Sequence, residues 1–143
     1  MNVKRFALAC FLVYLLGQVL NFLIHDVILQ PAYQVTQNLW RSPADIMSKM
    51  WIFWITGLVS AVLFTYIFVK GYEGGGVKEG FRFGFMVGFF VTLPEAYNTY
   101  ALSPIPPVMA LQWFLFGTIG WMFMGAMAAI VYRPQPVTAA AIA

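Results

Sequence analysis

The chain has 143 residues, 62% of them hydrophobic and only 9% charged, with eight Lys and Arg against five Asp and Glu. Soluble domains carry about 25% charged residues, so this composition leaves too little polar surface to cover a water-facing core and makes lipid the solvent. The small positive balance is far from the clustered basic stripe of a nucleic-acid binder, so no nucleic-acid partner is expected.

Four apolar runs, about residues 6–28, 50–69, 81–101 and 108–132, account for most of the chain. Each matches the ~20 residues an α-helix needs to cross ~30 Å of hydrocarbon. A backbone in lipid must satisfy its own hydrogen bonds, so helices are the natural form. The expected fold is a single all-α transmembrane domain over residues 1–143, four helices in a compact antiparallel bundle. If the spans alternate, Lys4, Arg5, Lys70, Lys78, Arg82 and Arg133 fall on one side and only Arg41 and Lys49 on the other. The positive-inside rule then puts both termini in the cytoplasm of a multi-pass protein. Lys4 and Arg5 before an apolar run also fit the start of a signal peptide, but the run outlasts an h-region and shows no convincing small-x-small cleavage site, which favours a retained span.

In the first span Tyr14, Gln18, Asn21 and His25 follow i, i+4, i+7 and i+11 and share one helical face, with Asp26 beside it. Polar groups at membrane depth belong against protein or water. Two readings stay open: interhelical hydrogen bonding with an interfacial His25–Asp26 pair, or a polar path, relay or ligand site. Cys10 is the only cysteine, which excludes an intrachain disulfide, a CxxC pair and a thiolate cluster, and its expected role is packing.

The connection from about Gln30 to Lys49 offers Ser42 as an N-cap, Pro43 at the first helical position and Asp45 at the positive end of the dipole. The second helix is therefore expected to begin outside the hydrocarbon and run on into it. Ala32, Val35 and Leu39 allow a short helix along the interface beside Trp40. Trp40, Trp51 and Tyr132 suit the aromatic belts, and partial solvation or pairing with Arg41 and Lys49 is available to the nearby acids.

The glycine-rich stretch Lys70-Gly71-Tyr72-Glu73-Gly74-Gly75-Gly76-Val77-Lys78-Glu79-Gly80 follows the second span. It lacks GxxxxGK[ST], does not complete GxGxxG and follows no strand, so it reads as a tight reversal rather than a phosphate cradle. Beyond it Gly80, Gly84 and Gly88 recur every four residues and form a face where another backbone can approach closely. The fourth span carries a sparser version in Gly117, Gly125 and Ala129, with Trp121 between them and Gly120 offset. These faces meet either within the chain or across a subunit boundary. Pro94, Pro104, Pro106 and Pro107 mark the last connection as a stiff external loop, and the tail after Arg133 as a short cytoplasmic end.

His25, Asp26 and Glu95 are expected at similar depth and are the candidate ligands for a transition metal, although the reading favours no metal. His25 is the only histidine, so a bis-histidine haem within the chain is excluded and only one shared with another subunit is allowed. The 14 Phe, seven Tyr and five Trp allow contact with a quinone or pigment, but serve packing and lipid contact without one. No cofactor is expected. No GxSxG elbow or HExxH helix is present, and no catalytic residue is assigned. No internal repeat supports an inverted-repeat transporter.

The string Lys70-Gly71-Tyr72-Glu73-Gly74 followed by Glu79-Gly80-Phe81-Arg82-Phe83-Gly84 resembles a pattern in small four-helix bacterial membrane proteins of unassigned activity. The resemblance implies the four-helix fold and a bacterial inner-membrane location, and no substrate. The leading expectation is a non-catalytic membrane subunit or accessory protein that assembles with other integral membrane subunits, or with itself, through its small-residue faces. The alternative is a small transporter or channel using the polar face of the first helix.

Overall fold

A computed structural model describes residues 2–132, which are helical almost throughout and contain no strand. The elements are α1 (Val3–Phe22), α2 (Gln30–Val35), α3 (Pro43–Ser48), α4 (Met50–Gly71), α5 (Gly76–Leu102) and α6 (Pro107–Val131). A π-helical turn, Leu23–Ile28, continues α1, and a 3-10 turn, Gln37–Leu39, follows α2. Three helices are long and apolar enough to cross a membrane: Val3–Ile28, Met50–Gly71 and Pro107–Val131. Although 27 residues long, α5 is not among them, because its glycines together with Glu79, Arg82, Pro94 and Glu95 dilute its apolar character. The expected tail after Arg133 lies outside the described residues.

The long helices run antiparallel. Gly80 at the start of α5 meets Gly125 near the end of α6, while Thr92 further along α5 meets Gly117 and Phe114. On α1, Gly17 faces Met124 and Ile24 faces Gly120. Two ends result: a base formed by the start of α1 and the Tyr72–Gly75 turn, and a cap formed by α2, α3 and the Ser103–Pro106 connection.

Local chemistry explains where helices stop. Asn2 caps α1 by accepting from Arg5 N at 3.1 Å. At the base, Gly74 and Gly76 take φ of 95° and 65°, which side-chain-bearing residues adopt only at a cost. The Glu79 carboxylate then folds back to accept from Glu73 N and Gly75 N at 2.7 and 2.6 Å, and the Tyr72 hydroxyl accepts from Gly76 N at 3.1 Å. The amides that an anion would need are thus occupied by the chain's own carboxylate.

Four expectations require correction. Ser42 does cap a helix by accepting from Asp45 N, but that helix is the short α3, which breaks at Lys49 before α4 begins. The break coincides with Asp45 holding both Arg41, at 2.8 Å, and Lys49, so neither cation pairs with the acids of the first or third long helix. Val35 does not share a buried face with Ala32 and Leu39; it is 80% exposed while they pack into the cap. Pro94 lies inside α5 rather than in the last connection, and the helix runs eight residues beyond it to Leu102.

Packing divides into two clusters. Near the base, Val13 of α1, Ala61, Phe64 and Phe68 of α4 and Ala128 and Ala129 of α6 form a core, flanked by Phe83 and Trp121. Near the cap, Ala96, Ile105, Met109 and Ala110 are covered by Tyr33, Trp40 and Trp113. Outward-facing Phe11, Leu15, Val19, Trp54, Leu58, Phe90, Ile119 and Phe123 are exposed. Such an apolar exterior would be a liability in water and is the ordinary surface of a protein in lipid.

Candidate functional site

The tightest contact in the molecule is the α5–α6 seam. A methyl group added at Gly84 would meet Trp121 O and stand 2.7 Å from Met122 Cα, and one at Gly88 would stand 2.8 Å from Trp121 Cβ. At Gly80 and Gly125 it would strike the opposing glycine's carbonyl oxygen. The four-residue step continues from Gly88 to Thr92, whose hydroxyl donates to Gly88 O at 2.8 Å and lies 2.9 Å from the Thr118 hydroxyl. Gly117 gives Thr92 room, since an added Cβ would stand 2.8 Å from its methyl. Backbone approach and an interhelical hydroxyl pair therefore lock α5 to α6. Thr92 and Thr118 were not singled out in the sequence, where the signal was the continuing spacing.

Beside this seam lies a cleft of about 340 Å³ between α1, α4 and α6. It exists because α4 packs on the other helices mainly through its base half, where Ala61, Phe64, Thr65 and Phe68 are buried, while no residue from Met50 to Ser60 is buried. Tyr14, Gln18, Asn21 and His25 of α1 all line it. Thr56 and Ser60, one turn apart on α4, add hydroxyls from the opposite wall, and Glu95 of α5 adds a carboxylate. Phe53, Trp121 and Met124 supply apolar surface. Gly57 keeps the wall open, because a Cβ there would come within 2.7 Å of Gln18 Nε2.

Gln18 and Asn21 have no hydrogen-bond partner among the described residues, and Glu95 forms no ion pair among them. Thr56 turns its hydroxyl back to Ile52 O at 2.7 Å, the usual way a helix interior satisfies threonine. Gln18 and Asn21 thus face a shared space without being consumed by neighbouring helices.

The candidate metal ligands do not assemble. No three His, Cys, Asp or Glu side chains stand together among the described residues. His25 and Glu95 line the cleft, whereas Asp26, the next position round the π turn, is exposed and outside it. The expected His25–Asp26 pair is replaced by another partner: His25 Nδ1 lies 2.7 Å from the Tyr33 hydroxyl on α2. Tyr33 in turn packs against Trp40 and Trp113, with ring centroids 5.5 and 6.3 Å apart. Trp40 donates its indole N–H to the Thr36 hydroxyl at 2.9 Å, which ties it into this cap cluster. Burial, reinforced by the negative charges of Asp26 and Glu95, pushes the Tyr33 phenol up to about 12, and it remains a neutral hydrogen-bonding partner of His25.

No family model matches the chain, and the searches of curated proteins and of solved structures return no match. The functional reading rests on the cleft itself.

Proposed function

We propose that this chain is a non-catalytic four-span protein of the bacterial inner membrane, with both termini cytoplasmic, that binds a small solute in the cleft and passes it toward one face. The observation carrying this reading is that Gln18, Asn21 and Glu95 line one cleft without partners among the described residues. Gln18 is half-buried and Asn21 and Glu95 are exposed on the cleft's open side, so water or a polar solute in the cleft is what satisfies them. The small-residue faces, the other basis for a function, are used inside the chain: Gly80, Gly84 and Gly88 pack on α6 and are not free to recruit a subunit. An open polar cleft beside an internally used seam favours transport over an accessory-subunit role.

Assembly keeps support from a separate observation. Asn21, Thr56 and Ser60 are exposed, so the cleft is open along its side and a second copy or another membrane subunit would close it. Intact-assembly mass spectrometry after gentle extraction separates the cases: a defined partner favours an accessory role, and a lone or homo-oligomeric chain favours transport.

The cleft is tested by cysteine accessibility in a Cys10→Ala background. Asn21→Cys and Ser60→Cys should react with a membrane-impermeant maleimide, whereas Val19→Cys, on an outward face of α1 that is 54% exposed, should stay inert in membranes. Equal inertness of all three positions would remove the solvated cleft from the argument. External labelling of a C-terminal tag in intact cells would overturn the proposed orientation.

A further inference from the structure

We propose that the cleft selects an organic cation with an apolar body, holding its charge at Glu95 and its body along Phe53 and Trp121; this deepens the solute-binding reading and rests on it. The charge inventory is the starting point. Among the described residues Glu95 is the only acidic one lining the cleft, and no Lys or Arg lines it. The cations nearest in sequence to the cap end of the cleft, Arg41 and Lys49, are both committed to Asp45. His25 turns Nδ1 to the Tyr33 hydroxyl, and the remaining polar liners are neutral amides and hydroxyls. An anionic solute therefore meets a carboxylate and no countercharge, whereas a cation supplies the charge partner that Glu95 lacks.

The walls decide what kind of cation. A divalent metal needs several anionic or oxygen ligands converging on one point, and no such group stands together among the described residues. Aromatic side chains at Phe53 and Trp121 instead favour an alkylammonium carried on an apolar frame, through cation–π attraction and burial. At about 340 Å³ the cleft falls at the lower end of the volumes, ~300–1,000 Å³, typical of small-molecule sites. Gln18 and Asn21 are placed to hydrogen-bond polar substituents or accompanying water.

Calorimetric titration of the full chain in lipid nanodiscs, with empty discs as the partition control, uses benzyltrimethylammonium and its uncharged carbon isostere neopentylbenzene. The cation is expected to bind the wild type and to lose about tenfold or more in affinity in Glu95→Gln, an isosteric change that removes only charge. Neopentylbenzene should bind more weakly and be indifferent to that substitution. Wild-type affinity in Glu95→Gln, absence of cation binding, or equal binding of the neutral isostere would overturn the cation assignment. Gly57→Phe, which fills the cleft beside Gln18, separates this from failure of the site. If cation binding survives Gly57→Phe, binding is elsewhere and the cleft reading fails as well. If the neutral compound alone binds and is lost in Gly57→Phe, the cleft stands and the charge assignment falls.

Discussion

Glycines serve opposite purposes on the two sides of α6. Along the seam with α5, the space a side chain would need at Gly80, Gly84 and Gly125 is taken by opposing backbone, so each glycine closes a gap. Around the cleft, the neighbours of Gly17, Gly57 and Gly120 are side-chain tips: Met124 Sδ at 3.1 Å, Gln18 Nε2 at 2.7 Å and Ile24 Cδ1 at 3.8 Å. Here the missing side chain leaves room for another. Polar groups follow the same division. Thr92 and Thr118 satisfy each other across the seam, whereas Gln18 and Asn21 face the cleft without a protein partner among the described residues. The tightly packed hairpin α5–α6 thus supports one wall of the cleft, whose other wall, the cap half of α4, has no buried residue.

This contrast is broken most directly at Gly84. Gly84→Leu must displace the α6 backbone at Trp121 and Met122, and is expected to destabilise the protein by about 3 kcal/mol, the upper range for overpacking. Chemical unfolding in mild detergent measures it, and wild-type stability would mean that the seam does not hold the bundle. A smaller effect sharpens the polar half of the comparison. Thr92→Val keeps the shape and removes the interhelical hydroxyl pair, at an expected cost of about 0.6–1 kcal/mol. A double-mutant cycle with Thr118→Val should recover most of that as coupling; strictly additive losses would deny the pair.

Outside both regions, the cap provides a pH handle. Lys49 and Arg41 hold the Asp45 carboxyl below the usual carboxylate range. A depressed folded-state value contributes stability that is fully present above the ordinary carboxylate value, ~4, and is lost as the pH falls through the lower folded value. Local opening of α3, followed by hydrogen exchange, should therefore rise in that acidic window and become insensitive to pH in Asp45→Asn; the same acid response in both proteins would exclude Asp45 as its source.

The smallest expected effect on stability lies in the cleft. Asn21→Leu removes no protein hydrogen bond and should change unfolding free energy by no more than about 0.5 kcal/mol, while reducing binding or flux of the solute. A loss comparable to that of Gly84→Leu would make Asn21 part of the packing and erase the distinction between the two sides.

The sequence was most readable where one helix carries its own pattern. The i, i+4, i+7, i+11 spacing from Tyr14 to His25 is a property of α1 alone, and all four residues line one cleft. The glycine spacing on α5 is equally local. Which surfaces these faces meet depends on partners distant in sequence, and that was less readable. Thr56 and Ser60, hydroxyls four residues apart in an apolar helix, carried a usable signal for the opposite wall. The His25–Tyr33 contact did not, because it requires α2 to fold over the end of α1. Trp40 and Trp113 read as ordinary membrane aromatics until the cap brings them together. The break at Lys49 was hidden for a similar reason: strong capping residues announce that a helix begins at Ser42 and say nothing about how far it runs.

The π turn at Leu23–Ile28 gives α1 one more residue than a regular helix would fit into the same length. It acts as a phase shifter, setting the side chains above it about 100° away from where an uninterrupted spiral would put them. Deleting a single residue there would keep every hydrophobic span intact and every composition profile unchanged, yet would swing His25 and the whole α2 cover relative to the stripe below. The placement of His25 and α2 against the rest of α1 thus depends on one surplus amino acid, a dependence that no count of charges or apolar residues registers.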